Sequence, residues 1–512
     1  MGICSYKMVV LNSGCIMNKK IVMVISLISI LTAGCAPRYI TKPYISAKEK
    51  LSYQIDQLVD APEFQTATLG ILVQSLDTGE ILYDHNSEKV LMPASNEKIP
   101  TSAVALMKFG PDYKYETNMY TNGTIDQGVL KGDLYIVGSG DPTIGYRFCE
   151  NQDSCLFFSD WIDHLSKLNI KKIQGRIIGI DDVFDDELIG YGWTVDNLSY
   201  YYSAEINGLM LNENSAEVTM SVDSVTHDLN ISVNPDFNYL DFNTDISITE
   251  NNNHDSDYNV FRETNSNLVT VSGKIKVDDV IREDIAIHNP TLFFLHGLKH
   301  ELNENGISVT GVLIDSDDLD SLDQIRDMEL LYTHVSPPFS EILKVLLKRS
   351  QNLYAESFVK LLGHHYGKSG SFAEGEKIIK NTLVRFGLDN GSFQYKDGSG
   401  LSRYNYISPA HIVKILRGMH LHQYGPIYKN CLPVAGVDGT IGYRMKGTPA
   451  QGNIYAKTGT ISNVRCLSGY ATSKDGENLV FSIMANNFLC SVHVVMDLQD
   501  QICIALSSFS RN

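Results

Sequence analysis

Three short stretches hold the reactive residue types of this chain: Ser95-Asn96-Glu97-Lys98, Ser350-Gln351-Asn352 and Lys457-Thr458-Gly459-Thr460. A serine hydroxyl becomes a nucleophile when a neighbouring base takes its proton, and a lysine is such a base only after its pKa has been lowered, by desolvation or by a second cation. Ser95 and Lys98 are three residues apart, so on a helix they lie on one face, a turn apart. Ser350 and Asn352 add a second hydroxyl and an amide, and Lys457 with Thr458 and Thr460 offers a cation and hydroxyl donors to an anionic end of a ligand. Each pattern alone is common by chance; together and in this order they describe a site at which a serine is acylated.

The surrounding sequence supplies elements to position these groups. Ile99, Ala103, Val104, Leu106 and Met107 recur at helical spacing before Gly110, a stop signal, so Ser95 falls where a helix begins. A helix N-terminus favours a developing alkoxide and helps keep Lys98 neutral, and Lys457 is the candidate second cation. Pro100 is tolerated so early in a helix. Ser350-Gln351-Asn352 occupies the break between two helical runs, Ile342 to Leu347 and Leu353 to Leu362. The Lys-Thr-Gly stretch, Asn463 to Tyr470 and Leu479 to Met484 read as antiparallel strands with a turn at Lys474 to Asn478. Gly459 is expected to let a substrate backbone approach closely. A hairpin, Leu69 to Val73 and Ile81 to Tyr83 turning at Asp77-Thr78-Gly79, belongs to the same sheet. The helical patterns at Leu51 to Leu58 and Val492 to Leu506 are expected to pack together.

With these motifs the chain resembles the low-molecular-mass class C penicillin-binding proteins, the D-alanyl-D-alanine carboxypeptidase/endopeptidase family. Further matching stretches are Asp133 to Thr143, Ser203 to Leu209, Asp397-Gly398-Ser399-Gly400-Leu401-Ser402-Arg403 and Gly436-Val437-Asp438-Gly439-Thr440, and the likeness runs from about residue 45 to 510. It implies an α/β (α+β) serine penicillin-recognising catalytic domain, split in sequence, with inserted β-rich domains. About 250 residues separate Ser95 from Ser350, too many for a loop. The expected division is a targeting segment at 1–35, a catalytic domain from 45–117 plus 329–512, an inserted domain from 118–190 plus 314–328, and a nested β-rich domain at 191–313. A class A β-lactamase has only a short helical segment at the place of this insert, by the same resemblance.

The resemblance also implies roles. Ser95 attacks the carbonyl of the penultimate D-alanine of a peptidoglycan stem peptide or cross-bridge, as a carboxypeptidase, an endopeptidase or both, and Lys98 takes its proton; the N–H groups of Ser95 and Thr460 form the oxyanion hole. Ser350, bonded to Lys457, relays a proton to the leaving amine. Asn352 orients the amide of the acyl side chain, Lys457, Thr458 and Thr460 suit the terminal carboxylate, and Gly459 completes the substrate-binding set. β-Lactams, as mimics of the D-Ala-D-Ala amide, are expected to acylate Ser95. Asp196 is the candidate contact for the free amine of a diaminopimelate side chain, against an ordinary surface or capping aspartate. Two alternatives stay open: a β-lactamase- or esterase-like hydrolase on the same scaffold, and a catalytically silent wall-binding lipoprotein.

With 60 acidic and 42 basic residues the formal charge is −18, which argues against nucleic acid as a partner. Met17-Asn18-Lys19-Lys20 followed by Ile21 to Leu31 has the basic and apolar regions of a signal segment, and translation is expected to begin at Met17. Leu31-Thr32-Ala33-Gly34-Cys35 resembles a bacterial lipoprotein cleavage box, implying a lipid anchor on Cys35 and, with Ala36 next, a periplasmic enzyme held at the outer membrane. The chain has nine cysteines, none at metal-ligand spacing; Cys149 and Cys155 are candidates to pair, and the others outside the leader read as small buried residues. No metal and no cofactor is expected. His364-His365 reads as a solvated helix end and Asp315 to Asp320 as a solvated turn.

Overall fold

Five antiparallel strands from the two ends of the sequence share one sheet, in the order Tyr455–Ile461, Val464–Thr472, Asn478–Asn486, Thr68–Ser75 and Ile81–His85. This computed structural model describes residues 45–149, 156–250, 255–321 and 324–512, and everything below concerns Ala47–Asn512. The leader, Cys35, Cys155 and part of the polar segment at 251–257 lie outside the described residues.

The sheet is covered on both faces, so its central strands are buried along nearly their whole length. Successive side chains point to opposite faces, and the sequence respects this period of two. Leu69, Ile71, Val73, Phe481 and Ile483 face the helices Ala47–Val59 and Val492–Ser508, where Leu51, Ile55, Val495, Leu498 and Ile502 complete one core. Leu72, Val480 and Met484 face the other way, onto Lys98–Phe109, Phe339–Arg349, Asn352–Tyr366 and Pro409–Leu421. Each fully buried leucine or isoleucine there contributes roughly 1.5–3 kcal/mol.

Between the two halves lie further sheets. One has five strands in the order Leu313–Asp315, Ile177–Ile180, Leu134–Val137, Glu116–Thr121 and Glu329–Val335. Because Glu329–Val335 pairs with Glu116–Thr121, this sheet runs on to Val335, past the expected return to the catalytic part at 329. A smaller four-stranded sheet and the helices Ser159–Lys167 and Pro290–Glu304 share its core around Trp161, Phe293 and Phe294. The latter helix thus packs with the first insert rather than with the nested part. That nested part is two three-stranded sheets closing on Val218, Met220, Val260, Val269 and Val271. Among the described residues no helix is long and apolar enough to cross a membrane.

Cys149 is disulfide-bonded, while Cys431, Cys466 and Cys503 are free and buried. The acidic stretch at 315–320 exposes Asp317, Asp318 and Asp320, as a solvated turn does, but its first residue, Asp315, is buried and accepts from Asn289 Nδ2 at 2.9 Å. Carboxylate oxygens of Asp181, Asp182 and Asp317 lie within 4.8 Å of one another, and burial pushes Asp181 up to about 7.

Candidate active site

A cleft of about 820 Å³ lies where the sheet edge, the helices and the insert meet; Ser95, Asp196, Ser350, Asn352, Thr458 and Thr460 are in its walls. Ser95 sits in a tight turn, Ala94–Glu97, that runs into the helix Lys98–Phe109. The turn is strained: Ala94 has φ 46°, which costs a residue bearing a Cβ on the order of 1–2 kcal/mol. Such strain persists only where neighbours hold the chain, and here they are two glycines. A Cβ on Gly400, itself at φ +84°, would stand 1.8 Å from the Ala94 carbonyl oxygen, and one on Gly459 would stand 2.5 Å from that of Pro93. Gly459 thus admits the protein's own backbone beneath Ser95, not that of a substrate. Gly459→Ala is expected to displace the turn and slow acylation of Ser95 about 10²-fold, the usual penalty for a misplacement near 1 Å, read by stopped-flow with a chromogenic β-lactam.

Lys98 is fully buried beside Ser95. Its Nζ lies 3.0 Å from Ser95 Oγ, 2.6 Å from Asn352 Oδ1 and 2.7 Å from the Ser399 carbonyl oxygen. The Asn352 amide is oriented unambiguously, because its Nδ2 donates to the Tyr202 carbonyl at 2.6 Å. Two of the three partners of Nζ are therefore acceptors only, and a neutral amine has two hydrogens and one lone pair. The hydrogens must go to Asn352 and Ser399, which leaves the lone pair facing the one partner able to donate, Ser95. Burial pushes Lys98 down to about 7, against the carboxylates of Asp397 and Glu356, which favour its charged form.

The segment bearing the Ser399 carbonyl is pinned from two sides. Glu356, on the same helix as Asn352 and 2% exposed, accepts from the N–H groups of Gly398 and Ser399 at 2.9 and 2.8 Å. Asp397 accepts from Gly400 N–H, Ser402 N–H, Asn405 Nδ2 and, across to the insert, Trp193 Nε1.

A second serine–lysine pair faces the first. Ser350 takes the left-handed conformation, φ 65°, between Phe339–Arg349 and Asn352–Tyr366, and its Oγ accepts from Lys457 Nζ at 2.8 Å. Burial and the positive charges of Lys98 and Arg465 push Lys457 well below the usual lysine range. Thr458 shares a hydrogen bond with Thr440 at 2.8 Å, and Arg465 donates to the Thr460 hydroxyl. Ala456 N–H donates to the Pro433 carbonyl, off the edge of the sheet. By the strand's period of two, the N–H groups of Thr458 and Thr460 leave the same edge, toward the cleft. Arg349, Arg403 and Arg465 also line the cleft, so its walls suit carboxylates despite the acidity of the chain. Asp196 is exposed and lines the same cleft, with Tyr201 and Tyr202.

The structure thus brings together every motif residue expected from sequence among those described, with Lys98, Lys457 and Gly459 beneath the cleft floor. Glu356, Asp397, Tyr202, Thr440 and Arg465 had been assigned no part. Asp397 and Thr440 lie in stretches that carried the family resemblance, a signal that marked the segments but not the contacts.

A serine in contact with a buried lysine, with a second serine–lysine pair facing it, on this frame of sheet and helices, is the arrangement of the penicillin-recognising serine hydrolases. The sequence pattern of the D-Ala-D-Ala carboxypeptidase 3 (S13) family matches residues 51–508, and the chain belongs to that family, as a low-molecular-mass class C penicillin-binding protein and serine-type D-alanyl-D-alanine carboxypeptidase. It is 28% identical over 479 residues to the D-alanyl-D-alanine carboxypeptidase of an Actinomadura species, covering 90% of this chain and 85% of that one. It is 25% identical over 429 residues to the D-alanyl-D-alanine carboxypeptidase DacB of Haemophilus influenzae, covering 82% and 86%. The crystal structure of penicillin binding protein 4 from Haemophilus influenzae superposes with a TM-score of 0.78 at 23% identity, over 89% of this chain and 99% of that one, and shares the fold.

Proposed function

We propose that Ser95 is the acylated nucleophile of a D-alanyl-D-alanine peptidase acting on peptidoglycan stem peptides, and that β-lactams acylate the same hydroxyl. The observation that carries this is the partner set of Lys98 Nζ, two obligate acceptors and Ser95 Oγ. Lys98 takes the Ser95 proton as Oγ attacks the carbonyl of the penultimate D-alanine. The N–H groups of Ser95 and Thr460 stabilise the oxyanion. The C–N bond breaks, an ester forms, and Ser350, held by Lys457, passes a proton to the departing amine. Water then releases the acyl group and restores Ser95. Lys457, Thr458 and Thr460 receive the terminal carboxylate. Asn352 holds Lys98 in this state, and its place in the cleft wall supports its also meeting the amide of the acyl chain.

Asp196 suits the free amine of a diaminopimelate side chain. Asp196→Asn is expected to raise KM about 10-fold for a diaminopimelate peptide while leaving kcat within about twofold, since a charge-assisted hydrogen bond contributes roughly 1.5–3 kcal/mol at most. An equal effect on a substrate without that amine would remove Asp196 from this role.

The proposal extends to location: a signal segment ending at Cys35, a lipid on that cysteine, and a periplasmic site at the outer membrane, beside the polymer. The support is the sequence at 17–36.

The experiment that tests the function is mass spectrometry of the purified protein and its Ser95→Ala variant with benzylpenicillin. A penicilloyl adduct on Ser95, absent from the variant, is expected. Unconsumed penicillin and no adduct on a folded protein would favour the silent scaffold, and rapid consumption without an adduct the β-lactamase-like alternative.

A further inference from the structure

The inserted domain reaches the stretch Ser350-Gln351-Asn352 at two points. Tyr202 offers its carbonyl to Asn352 Nδ2 at 2.6 Å, and Glu213 accepts from Gln351 Nε2. Gln351 lines a separate space of about 330 Å³ rather than the cleft itself. Its backbone nevertheless joins two residues of the site. On one side is Ser350, left-handed at φ 65° and bonded to Lys457 Nζ; on the other is Asn352, which accepts from Lys98 Nζ.

Among the described residues that bond to Glu213 is the one hydrogen bond of the Gln351 side chain. The residue is 4% exposed, and its Oε1 is buried without a partner. A carboxylate only accepts, so the amide must present its nitrogen to Glu213 and leave its oxygen unpaired. Glu213 is fixed in turn. Its carboxylate also accepts from Arg147, through Nε and, at 2.7 Å, Nη2. Its backbone lies in a run of three left-handed residues, Asn212 to Asn214, with φ 49°, 58° and 53°. Asparagine adopts that conformation readily and glutamate does not. The two asparagines hold the turn: Asn212 N–H donates to the Ile144 carbonyl at 2.7 Å, Asn214 Nδ2 donates to that of Glu205 at 2.8 Å, and Asn214 Oδ1 accepts from Leu211 N–H at 3.2 Å. Strain of this kind persists where the surroundings over-determine it, and it gathers at functional positions.

We propose that Glu213 is a positioning residue for the reaction: through Gln351 it keeps Ser350 in the left-handed conformation from which the hydroxyl passes a proton to the departing amine. This role rests on the proposed assignment of Ser350 to that amine. Glu213 touches neither substrate nor a reacting atom. Without its bond the peptide between Ser350 and Asn352 loses its tie to the insert, and Ser350 relaxes toward the negative φ that a residue with a Cβ favours. Its Oγ then leaves its place beside Lys457. The insert thereby takes part in catalysis through a residue more than 130 positions away in the chain.

The departing group supplies a readout that general destabilisation would not move. An amine leaves only with a proton, whereas a thiolate leaves without one. Displacing Ser350 should slow cleavage of an acyl-D-Ala-D-Ala peptide and spare a thiolester of the same acyl group. The test compares Glu213→Ala and Gln351→Met, which break the bond from its two sides, with Ser350→Ala. Gln351→Met leaves the Glu213–Arg147 pair intact and decides the question even where Glu213→Ala fails to fold. For both, kcat/KM for the peptide should fall about 10-fold, less than the 10²-fold of a full 1 Å misplacement, with the thiolester within about twofold of wild type. The double variant should lose no more than the worse single one, because both act through one bond. An equal fall on peptide and thiolester, additive losses, or an unchanged peptide rate in Gln351→Met would overturn the role of Glu213, while a peptide-selective loss in Ser350→Ala would leave the Ser350 reading standing. A Ser350→Ala variant that slows both substrates alike would overturn the Ser350 reading and the role of Glu213 together.

Discussion

Lys98→Met is expected to leave the protein folded and to slow acylation of Ser95 about 10³-fold, within the 10²–10⁴ range that a positioned general base contributes. Methionine keeps the length of the side chain and its burial but has no lone pair basic enough to take a proton. The same geometry fixes the pH dependence in the wild type. The neutral amine is the reactive form, and burial brings Lys98 down to about 7. The acylation rate should therefore rise with pH, about tenfold per unit below that value, and level off above it. Stopped-flow rates with a chromogenic β-lactam between pH 5 and 9 measure this. A flat profile in the wild type, or a Lys98→Met variant that acylates at the wild-type rate, would remove the lysine from the base role.

The second large effect is expected at Asp397, which touches neither Ser95 nor any substrate. Its carboxylate is wholly buried and receives four donors, two backbone N–H groups, Asn405 Nδ2 and Trp193 Nε1. Asp397→Ala strands all four. Removing one partner of a buried, charged hydrogen-bond set costs roughly 3–5 kcal/mol, so urea unfolding should shift by about 4 kcal/mol. The loss reaches the chemistry through Ser399, whose carbonyl fixes one hydrogen of Lys98. Acylation should fall about 10²-fold as that hydrogen bond loosens. The acid limb should also move to lower pH, because the Asp397 charge favours protonated Lys98. That last shift separates an electrostatic role from a merely structural one. A variant within about 1 kcal/mol of wild type would show that the four bonds are not the anchor they resemble.

What could be read from the sequence was local. Ser95 and Lys98 are three residues apart, and Ser350 and Asn352 two, so spacing alone set them together once a helix start and a helix break were recognised. The strands after Lys457 were legible because Val464 to Thr472 and Asn478 to Asn486 are apolar runs parted by a Gly turn. The partners that tune these groups were not legible. Glu356 and Asp397 are 258 and 299 residues from Lys98, and an acidic residue gives no sign in sequence of which backbone it caps. Gly459 was misread for a related reason: a glycine announces that something comes close, and only the fold shows that the visitor is Pro93. The insert's helix Pro290–Glu304 went unread because it is apolar around most of its circumference and lacks a one-sided stripe.

The sheet that supports Ser95 also sets the order in which this protein can come into being. Thr68 stands opposite Asn486 and Ser75 opposite Leu479, and Asn96 Nδ2 donates to Ser468 Oγ across the sheet. A chain supplied from its N-terminus delivers the hairpin and Ser95 first, and the strand that completes them almost last. Until then Leu69, Ile71 and Val73 lack the neighbouring strand Asn478–Asn486 and the core it brings. Pairing between such distant segments is slow, and it exposes unpaired strand edges to other chains in the interval. The constraint has a protective side: a chain that stops short of residue 457 lacks the lysine of the second pair and cannot complete the cleft around Ser95.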